Sequence, residues 1–240
     1  MPERVSEDGL VDDELLHEQR AFYQARAPHY DDWWQGRGRY GRGESETHEW
    51  KRQVATVEAA LASFDPTGDV LELAGGTGWW TERLSHTAGR LTVLDASPEA
   101  LALNRARVGR SDIDYVVADL FSWQPERRFD VVFFSFWLSH VPRSGFRAFW
   151  KLVRTCIAPG GRVFLIDNRS DPAPGIPGRD PYVIEYRPDV HLRRLDDGSE
   201  YQLVKVMYES DELEALLGAE GWQAEMGATS WFIFGSATPC

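Results

Sequence analysis

The chain has few cysteines and no long apolar run. Its 240 residues include two cysteines, Cys156 and Cys240, which are too few for a disulfide framework or a cysteine-based metal site. Nowhere do about 18 consecutive apolar residues predict a membrane-spanning helix. The first ten residues, MPERVSEDGL, are acidic and polar, unlike a secretory or transit peptide. Together these absences predict a soluble protein of the reducing cytoplasm.

Positive charge is also scarce. The 38 Asp and Glu residues outnumber the 26 Lys and Arg residues, for a formal net charge of −12. Such a surface repels a polyphosphate backbone, so we expect no nucleic-acid partner. Five histidines show no metal-ligand spacing with other ligand residues, and we therefore predict no metal site; they are His17, His29, His48, His86 and His191.

The N-terminal quarter is predicted to be helical. Residues 1–12 are charged and poor in apolar side chains, which predicts a disordered tail. Apolar spacing from Asp13 to Ala27 predicts a helix that ends before Pro28, and the spacing from Trp50 to Phe64 predicts a second one. Between them, residues 36–43 (GRGRYGRG) read as a flexible loop. We interpret residues 13–67 as a helical lid.

From residue 68 onward, short apolar runs alternate with helical segments, the pattern of βαβ units around a parallel sheet. The five predicted parallel strands are residues 70–73, 91–94, 115–118, 129–134 and 162–167. The last follows a Pro-Gly-Gly turn at 159–161, and a Pro- and Gly-rich connector leads to a hairpin around Asp197-Gly198. A helix at 211–219 and two antiparallel strands at 222–228 and 231–235 complete the prediction. The predicted fold is a Rossmann-like doubly wound α/β domain, residues 68–240, with an inserted hairpin.

The turn after the first strand, VLELAGGTGWW at residues 70–80, is the strongest local signal. In a doubly wound sheet the ligand crevice lies beyond the carboxyl ends of the strands, where this turn falls. A dinucleotide fingerprint needs a third glycine where Thr81 stands, so that match is poor. Glu72, four residues before Gly76, would oppose a pyrophosphate but suits a ligand with a nearby ammonium group.

Acidic residues end three successive strands: Glu72, Asp95 and Asp119. Asp95 is placed to accept both hydroxyls of a ribose, and Asp119 to receive an adenine amino group. Each has a plainer alternative. Glu72 would then be a strand-end acid satisfied by backbone amides, Asp95 would cap the helix that opens at Ser97-Pro98, and Asp119 would be a solvated turn residue. The constellation as a whole predicts an adenosine joined to an amino acid.

These motifs resemble those of the class I S-adenosylmethionine-dependent methyltransferases. The matching segments are LELAGGTG, VLDASPEAL, VVADLF and IAPGGRVFLID, and the resemblance extends over residues 13–236. YQARAPHYDDWW and FWLSHVP are similar to a bacterial subgroup that includes quinone-biosynthesis and small-molecule methyltransferases. One departure is Gly75, where relatives often have cysteine.

The resemblance implies S-adenosylmethionine as the cofactor and S-adenosylhomocysteine as its product. It places Tyr30 near the methionine end of the cofactor. The predicted cofactor-binding residues are Tyr23, Tyr30, Glu72, Ala74, Gly75, Gly76, Gly78, Asp95, Ala96, Asp119, Leu120, Ser135 and Phe136.

The acceptor is harder to predict. Residues 135–142 (SFWLSHVP) follow the fourth strand and should lie at the mouth of the crevice, where His140 is the candidate general base. A buried structural histidine is the alternative. We predict that Trp34, Tyr40, Trp137 and His140 contact the acceptor. Six arginines are candidates for binding an anionic acceptor, although charges in loops are usually only solvated: Arg37, Arg39, Arg42, Arg143, Arg193 and Arg194.

The ten tryptophans favour a flat acceptor. We therefore predict methyl transfer to oxygen or nitrogen of a small aromatic or heterocyclic molecule, of the kind found in secondary metabolism. Two alternatives remain open. One is carbon methylation of a quinol-like or indole ring, and the other is a non-methylating binder of the cofactor or a cyclase.

Overall fold

A computed structural model describes residues 13–169 and 180–240. The predicted disordered tail and most of the predicted Pro- and Gly-rich connector lie outside these ranges. Seven α-helices occur in the described residues: α1 Asp13–Arg26, α2 Asp32–Gln35, α3 Glu44–Phe64, α4 Trp79–Leu84, α5 Pro98–Val108, α6 Phe146–Cys156 and α7 Ser210–Ala219. The strands are β1 Asp69–Leu73, β2 Arg90–Asp95, β3 Asp114–Val117, β4 Phe129–Ser135, β5 Ile157–Asn168, β6 Val183–Arg187, β7 Val190–Arg194, β8 Glu200–Val204, β9 Trp222–Ala228 and β10 Phe232–Pro239.

Seven strands form one mixed sheet in the order β3-β2-β1-β4-β5-β10-β9. Strands β1 to β5 run parallel, and β10 is antiparallel to both β5 and β9. The predicted Rossmann-like α/β class is therefore confirmed, including the C-terminal antiparallel pair. Between β1 and β4 the direction of winding reverses, and in such sheets this point opens the ligand crevice.

The period-two alternation of strand side chains divides the core into two layers. In β1, Leu71 and Leu73 face a cluster that includes Trp150 of α6, whereas Val70 faces a second cluster that includes Trp80 of α4 and Leu61 of α3. Glu72 shares the side of Val70. This position places a carboxyl group in the interior between the sheet and α4.

A separate three-stranded antiparallel sheet follows the order β6-β7-β8. The hairpin predicted around Asp197-Gly198 joins β7 to β8, and β6 is an additional strand that the sequence pattern did not predict. Helix α1 attaches to this sheet: Gln19 accepts a hydrogen bond from the Val204 amide at 3.1 Å, and Glu18 accepts one from the Gln202 amide at 2.8 Å. The N-terminal helix and the inserted sheet are thus one packed unit.

Several boundaries differ from prediction. Helix α3 begins at Glu44, earlier than the apolar spacing indicated, and one short helix and a 3-10 turn (α2 and Gly38–Tyr40) lie in and beside the predicted flexible loop. The expected turn at 159–161 is wrong, because those residues belong to β5. There the register moves from Phe129 opposite Ile157 to Val131 opposite Arg162, so the Pro-Gly-Gly sequence forms an irregularity within the strand. No helix in the described part of the chain is long and apolar enough to cross a membrane.

Candidate active site

A cavity of about 440 Å³ lies at the carboxyl ends of β1, β2, β3 and β4, beneath α1. We call it the strand-end cavity. Ten of the thirteen predicted cofactor-binding residues line it, and so do Trp137 and His140. The ten are Tyr23, Tyr30, Ala74, Gly76, Asp95, Ala96, Asp119, Leu120, Ser135 and Phe136. Glu72, Gly75 and Gly78 are not among the residues that line it.

Asp95 organises the floor of this cavity. One carboxylate oxygen accepts the Gly76 amide at 2.8 Å and the other accepts the Ser97 amide at 2.8 Å. Burial raises the pKa of the Asp95 carboxyl, against the opposing effect of these backbone donors. Ser97 is the residue that caps α5, because its hydroxyl accepts the Ala100 amide at 3.0 Å. The carboxylate of Asp95 and the cap are therefore separate features, as the sequence allowed.

The turn between β1 and α4 has little room for side chains. Gly78 has a φ of +93°, and a Cβ atom there would lie 2.8 Å from Asn104 Cγ. Gly75 is equally confined, since a Cβ would lie 2.3 Å from a methyl group of Val93. Ala74 adopts φ +52° although it is not glycine, a strained conformation that is typical of functional turns. Packing behind the turn therefore excludes side chains at Gly75 and Gly78, whereas Gly76, which lines the cavity, has open space beside it.

Glu72 lies behind the turn. The Thr81 hydroxyl donates to its carboxylate at 2.5 Å, and Asn104 donates in turn to the Thr81 hydroxyl at 2.7 Å. Burial, with a further contribution from the charge of Asp95, raises the pKa of Glu72 to about 8. These hydrogen bonds hold the turn between β1 and α4 from its buried side. The predicted contact of Glu72 with the cofactor stays a prediction.

Helix α1 closes the outer side of the strand-end cavity. Arg20 donates to Asp119 at 2.5 Å, and Gln24 donates to Glu99 at 3.2 Å. Asp119 also accepts the Phe121 amide at 3.1 Å. The predicted adenine-binding carboxylate is therefore shared with a cation from the helix above it.

A second cavity, of about 360 Å³, adjoins the first. Among residues 13–169 and 180–240, three line both cavities: Tyr30, Phe136 and His140. Phe136 has φ +52°, a strained conformation at this shared boundary. The boundary is therefore where a ligand in one cavity can meet a ligand in the other.

The second cavity is rich in cations, and we call it the cationic cavity. Two acids line it, Glu46 and Asp180, against six cationic side chains, which are Arg26, Arg39, Arg42, Arg169, Arg193 and Lys205. Four residues of its wall carry buried nitrogen atoms that have no hydrogen-bond partner in the described structure: Arg26 Nε, Arg193 Nε, His191 Nδ1 and Trp231 Nε1. Unpaired buried donors are costly, so a ligand that brings acceptor atoms would be stabilised here.

Lys205 is one of three buried cations of this cavity, with Arg26 and Arg193. Its ammonium donates to Ser139 Oγ at 2.8 Å and to Asn168 Oδ1 at 2.7 Å, while Asp167 lies 4.0 Å away. Burial, with a contribution from the charge of Arg193, lowers the pKa of Lys205 to about 8 against the opposing effect of Asp167 and Asp180. An ammonium group has three donors, so one remains after these two bonds.

His140 already has partners on both ring nitrogens. Nδ1 lies 2.8 Å from the Val204 carbonyl oxygen, which only accepts, so Nδ1 carries the proton. Nε2 therefore accepts from the Tyr23 hydroxyl at 2.6 Å. Burial, together with the charges of Lys205 and Arg193, lowers the pKa of His140 well below its ordinary value. The ring is neutral, and any proton that it receives would come through Tyr23.

The predicted acceptor residues are only partly brought together. Tyr40 and His140 line the cationic cavity, whereas Trp137 lines the strand-end cavity. Trp34 lines neither cavity, because it is buried and stacks on Trp79 with ring centres 4.8 Å apart. Its predicted acceptor contact is therefore not supported by its position.

The six candidate arginines divide evenly. Arg39, Arg42 and Arg193 line the cationic cavity. The other three form ion pairs elsewhere: Arg37 with Asp32, Arg143 with Asp189 and Arg194 with Glu200. Sequence reasoning missed Arg26, Arg169 and Lys205. Of these, only Lys205 had a usable signal, a lone lysine between valines in a strand-like run.

Comparisons with known proteins agree with this geometry. The model of a methyltransferase domain family matches residues 70–161. Among solved structures, the complex of DhpI with SAM and HEP shares 33% identity and a TM-score of 0.79, covering 96% of this chain and 100% of that one. The N-methyltransferase NodS from Bradyrhizobium japonicum, in complex with S-adenosylhomocysteine, is 17% identical with a TM-score of 0.59, a likeness of fold.

Curated relatives match over shorter segments. Nodulation protein S of Rhizobium tropici is 33% identical over 92 residues, 38% of each chain. A ubiquinone/menaquinone biosynthesis C-methyltransferase of Shewanella frigidimarina is 29% identical over 126 residues, 49% of this chain and 48% of that protein. The chain therefore spans less than half the length of these curated relatives.

Proposed function

Because this chain belongs to the class I S-adenosylmethionine-dependent methyltransferases, we propose that it methylates an oxygen atom of a small acceptor that carries an anionic group. The observation that carries the proposal is the cationic cavity, which adjoins the strand-end cavity at Tyr30, Phe136 and His140. The family uses S-adenosylmethionine, and the strand-end cavity suits it in size and in its carboxylates, Asp95 and Asp119. The acceptor would then occupy the cationic cavity.

The cofactor supplies an electrophilic methyl group on a sulfonium when it is bound. The chain's own residues align the acceptor and exclude water, and positioning of this kind is worth roughly 7 to 11 kcal/mol in favourable cases. A carboxylate or a phosphorus oxyanion is already ionised near neutral pH and needs no general base. His140 supports a reaction without a general base, because its ring is neutral and both of its nitrogens already have partners. Nε2 accepts from the Tyr23 hydroxyl and Nδ1 donates to the Val204 carbonyl. His140 is then a positioning residue.

The relatives do not select the acceptor atom. They include N-methyltransferases and a C-methyltransferase by name, and DhpI was solved with SAM and HEP. An aromatic acceptor is the second candidate, favoured by Trp33, Trp50 and Trp231, which also line the cationic cavity. An acceptor with both a flat ring and an acidic group would contact both the tryptophans and the cationic side chains of this cavity.

Mass spectrometry of products tests the proposal. The full-length enzyme with S-adenosylmethionine is incubated with matched pairs of acceptors, each a carboxylic or phosphonic acid beside its neutral amide or alcohol, and with phenols and amines. We expect S-adenosylhomocysteine and a methyl ester in equal amounts from an acid. Turnover restricted to neutral phenols or amines would contradict the proposal. Tight binding of S-adenosylhomocysteine without turnover of any member would instead favour a non-methylating binder.

A further inference from the structure

Arg26 ends helix α1, and its buried guanidinium has no carboxylate in direct contact among the described residues. It is 6% exposed, and the rings of Phe22, Tyr30, Tyr40 and Tyr182 lie 5.3 to 5.9 Å from its central carbon. Its Nη2 donates to the Tyr40 hydroxyl at 2.6 Å, and its Nε has no hydrogen-bond partner among the described residues. Within the described ranges no carboxylate oxygen lies within 4.0 Å of it. A buried charge in this state is unfavourable until an anion joins it.

The neighbouring cations of the cavity are better neutralised. Arg193 pairs with Asp180 at 3.0 Å, Arg169 with Glu209 at 2.9 Å and Arg39 with Asp196 at 2.6 Å. Asp180 also accepts from the Tyr40 hydroxyl at 2.9 Å, so this one carboxylate pairs with Arg193 and is linked to Arg26 by hydrogen bonds through Tyr40. Against the opposing effect of burial, the charges of both arginines lower the pKa of the Asp180 carboxyl. Arg42 is partly exposed and lies over the Trp50 ring. Lys205 is buried as well, but Asp167 lies 4.0 Å from its ammonium. Among the described residues, Arg26 is therefore the buried cation of this cavity that has no carboxylate oxygen within that distance.

The same helix covers the cofactor. Arg20, Tyr23 and Gln24 of α1 line the strand-end cavity, and two of them bridge to Asp119 and Glu99 on its far side. Arg26, at the end of the helix, lines the cationic cavity instead. One rigid element therefore forms a wall of both cavities.

Resting on the proposed function, we propose that Arg26 is the residue of the lid that recognises the acceptor's anionic group, and that through α1 the acceptor and cofactor bind with positive coupling. An anion beside Arg26 stabilises the position of α1 that also closes the strand-end cavity. A cofactor that fixes α1 in turn places Arg26 for the anion. By linkage the two effects are equal in size, and coupling of this kind is typically about 5- to 150-fold.

Calorimetric titration of S-adenosylhomocysteine into the full-length protein measures the coupling. Three buffers of equal ionic strength are compared. They contain sodium chloride, sodium phosphate as the phosphate probe, and sodium acetate as the carboxylate probe. We expect the wild-type Kd to be at least fivefold lower in phosphate or acetate than in chloride. Arg26→Met, which fills the ring of aromatic side chains without charge, should reduce that ratio to about one.

Arg39→Met is the matched control, because it removes an arginine from the same cavity that already has a carboxylate partner. It should keep most of the wild-type ratio. Arg26→Gln serves if the methionine variant does not fold, and circular dichroism checks both. A ratio that survives both Arg26 variants would overturn the assignment of Arg26, and a wild-type ratio of one would overturn the coupling. Either result leaves the proposed function standing as long as acids are still methylated in the product assay.

Discussion

Lys205 is a lysine held almost entirely out of water beside the proposed acceptor. Ser139 and Asn168 accept its hydrogen bonds, and the ionisable groups that face it are Asp167, Arg193, Asp180, His140 and His191. Its pKa of about 8 means that the ammonium form is lost over an accessible pH range. Only the ammonium form attracts an anion, so this residue should make acceptor binding depend on pH.

We predict that kcat/KM for an acidic acceptor falls as pH rises through about 8, because this ratio reports the pKa of groups in the free enzyme. Lys205→Arg should move the fall to higher pH, since a guanidinium stays charged. Initial rates at subsaturating acceptor between pH 6.5 and 9.5 test this. Cofactor affinity over the same range is the control, and a fall that is identical in the arginine variant would rule out Lys205 as its source.

Glu72 illustrates the opposite kind of buried ionisable group. Its pKa rises from an ordinary value of 4.5 to about 8, so the folded protein keeps a proton that the unfolded chain releases. The stability that this proton contributes is complete below about pH 4.5 and is lost as pH rises to about 8. Each unit by which the pKa rises corresponds to at most about 1.4 kcal/mol of free energy of unfolding.

Glu72→Gln keeps an acceptor for the Thr81 hydroxyl and cannot ionise. Its stability relative to wild type should therefore increase between pH 5 and pH 9, by at least about 1.4 kcal/mol. Urea denaturation of the cofactor-free proteins at several pH values measures the difference. Glu99→Gln, at an exposed position, should show no such gain. A constant difference across the range would mean that Glu72 is ionised in the folded protein.

At the scale of elements, α1 is held to the inserted sheet by buried polar groups. Gln19 is 3% exposed, accepts from the Val204 amide and donates to the His140 carbonyl at 3.2 Å. We predict that Gln19→Met, which conserves volume but leaves both backbone groups unpaired, lowers the free energy of unfolding by about 2 kcal/mol or more. Gln24→Met, on the exposed side of the same helix, should cost less than about 0.5 kcal/mol. Equal losses in urea denaturation would show that the Gln19 bonds do not anchor α1.

Elements with a regular pattern were predictable from sequence, and elements without one were not. Alternating or continuous apolar runs located the strands of the large sheet, because their side chains are buried on one or both faces. Strand β6, VIEYR, lies at the edge of the small sheet with four of its five residues exposed, so it has no apolar pattern to detect. The irregularity in β5 was missed for a related reason: Pro-Gly-Gly usually ends a strand, and only the pairing with β4 keeps it in this one.

At the scale of the whole molecule, the strand-end cavity can be predicted from the order of the strands in the sequence, whereas the cationic cavity cannot. The strand-end cavity follows from topology, because parallel strands bring Ala74, Asp95, Asp119 and Ser135 to one edge whatever their separation in the chain. The cationic cavity combines Arg26 of α1, Arg193 of β7 and Lys205 after β8. No local pattern relates these positions, and a net charge of −12 argues against a concentration of cations anywhere. Only the docking of α1 on the inserted sheet brings them together.

The fold should unfold as a single cooperative unit. Because α1 packs on the inserted sheet and also bridges to Asp119 and Glu99, a ligand in the strand-end cavity should raise the stability of the whole protein in one transition. S-adenosylhomocysteine at a hundred times its Kd should contribute about 2.7 kcal/mol, a rise in Tm of about 5–10 °C for a chain of this size.

Three comparisons make this measurement of the Tm shift specific. NAD should give no rise, because Thr81 stands where a dinucleotide turn needs its third glycine. Asp95→Asn should give a much smaller rise than wild type at the same S-adenosylhomocysteine concentration, since the carboxylate predicted to accept two ribose hydroxyls becomes an amide with one acceptor atom. His140→Ala, which removes no proposed ribose contact, should retain most of the rise. An equal shift for wild type and the Asp95 variant would refute the ribose assignment, and a shift with NAD would refute the exclusion of dinucleotides from the strand-end cavity.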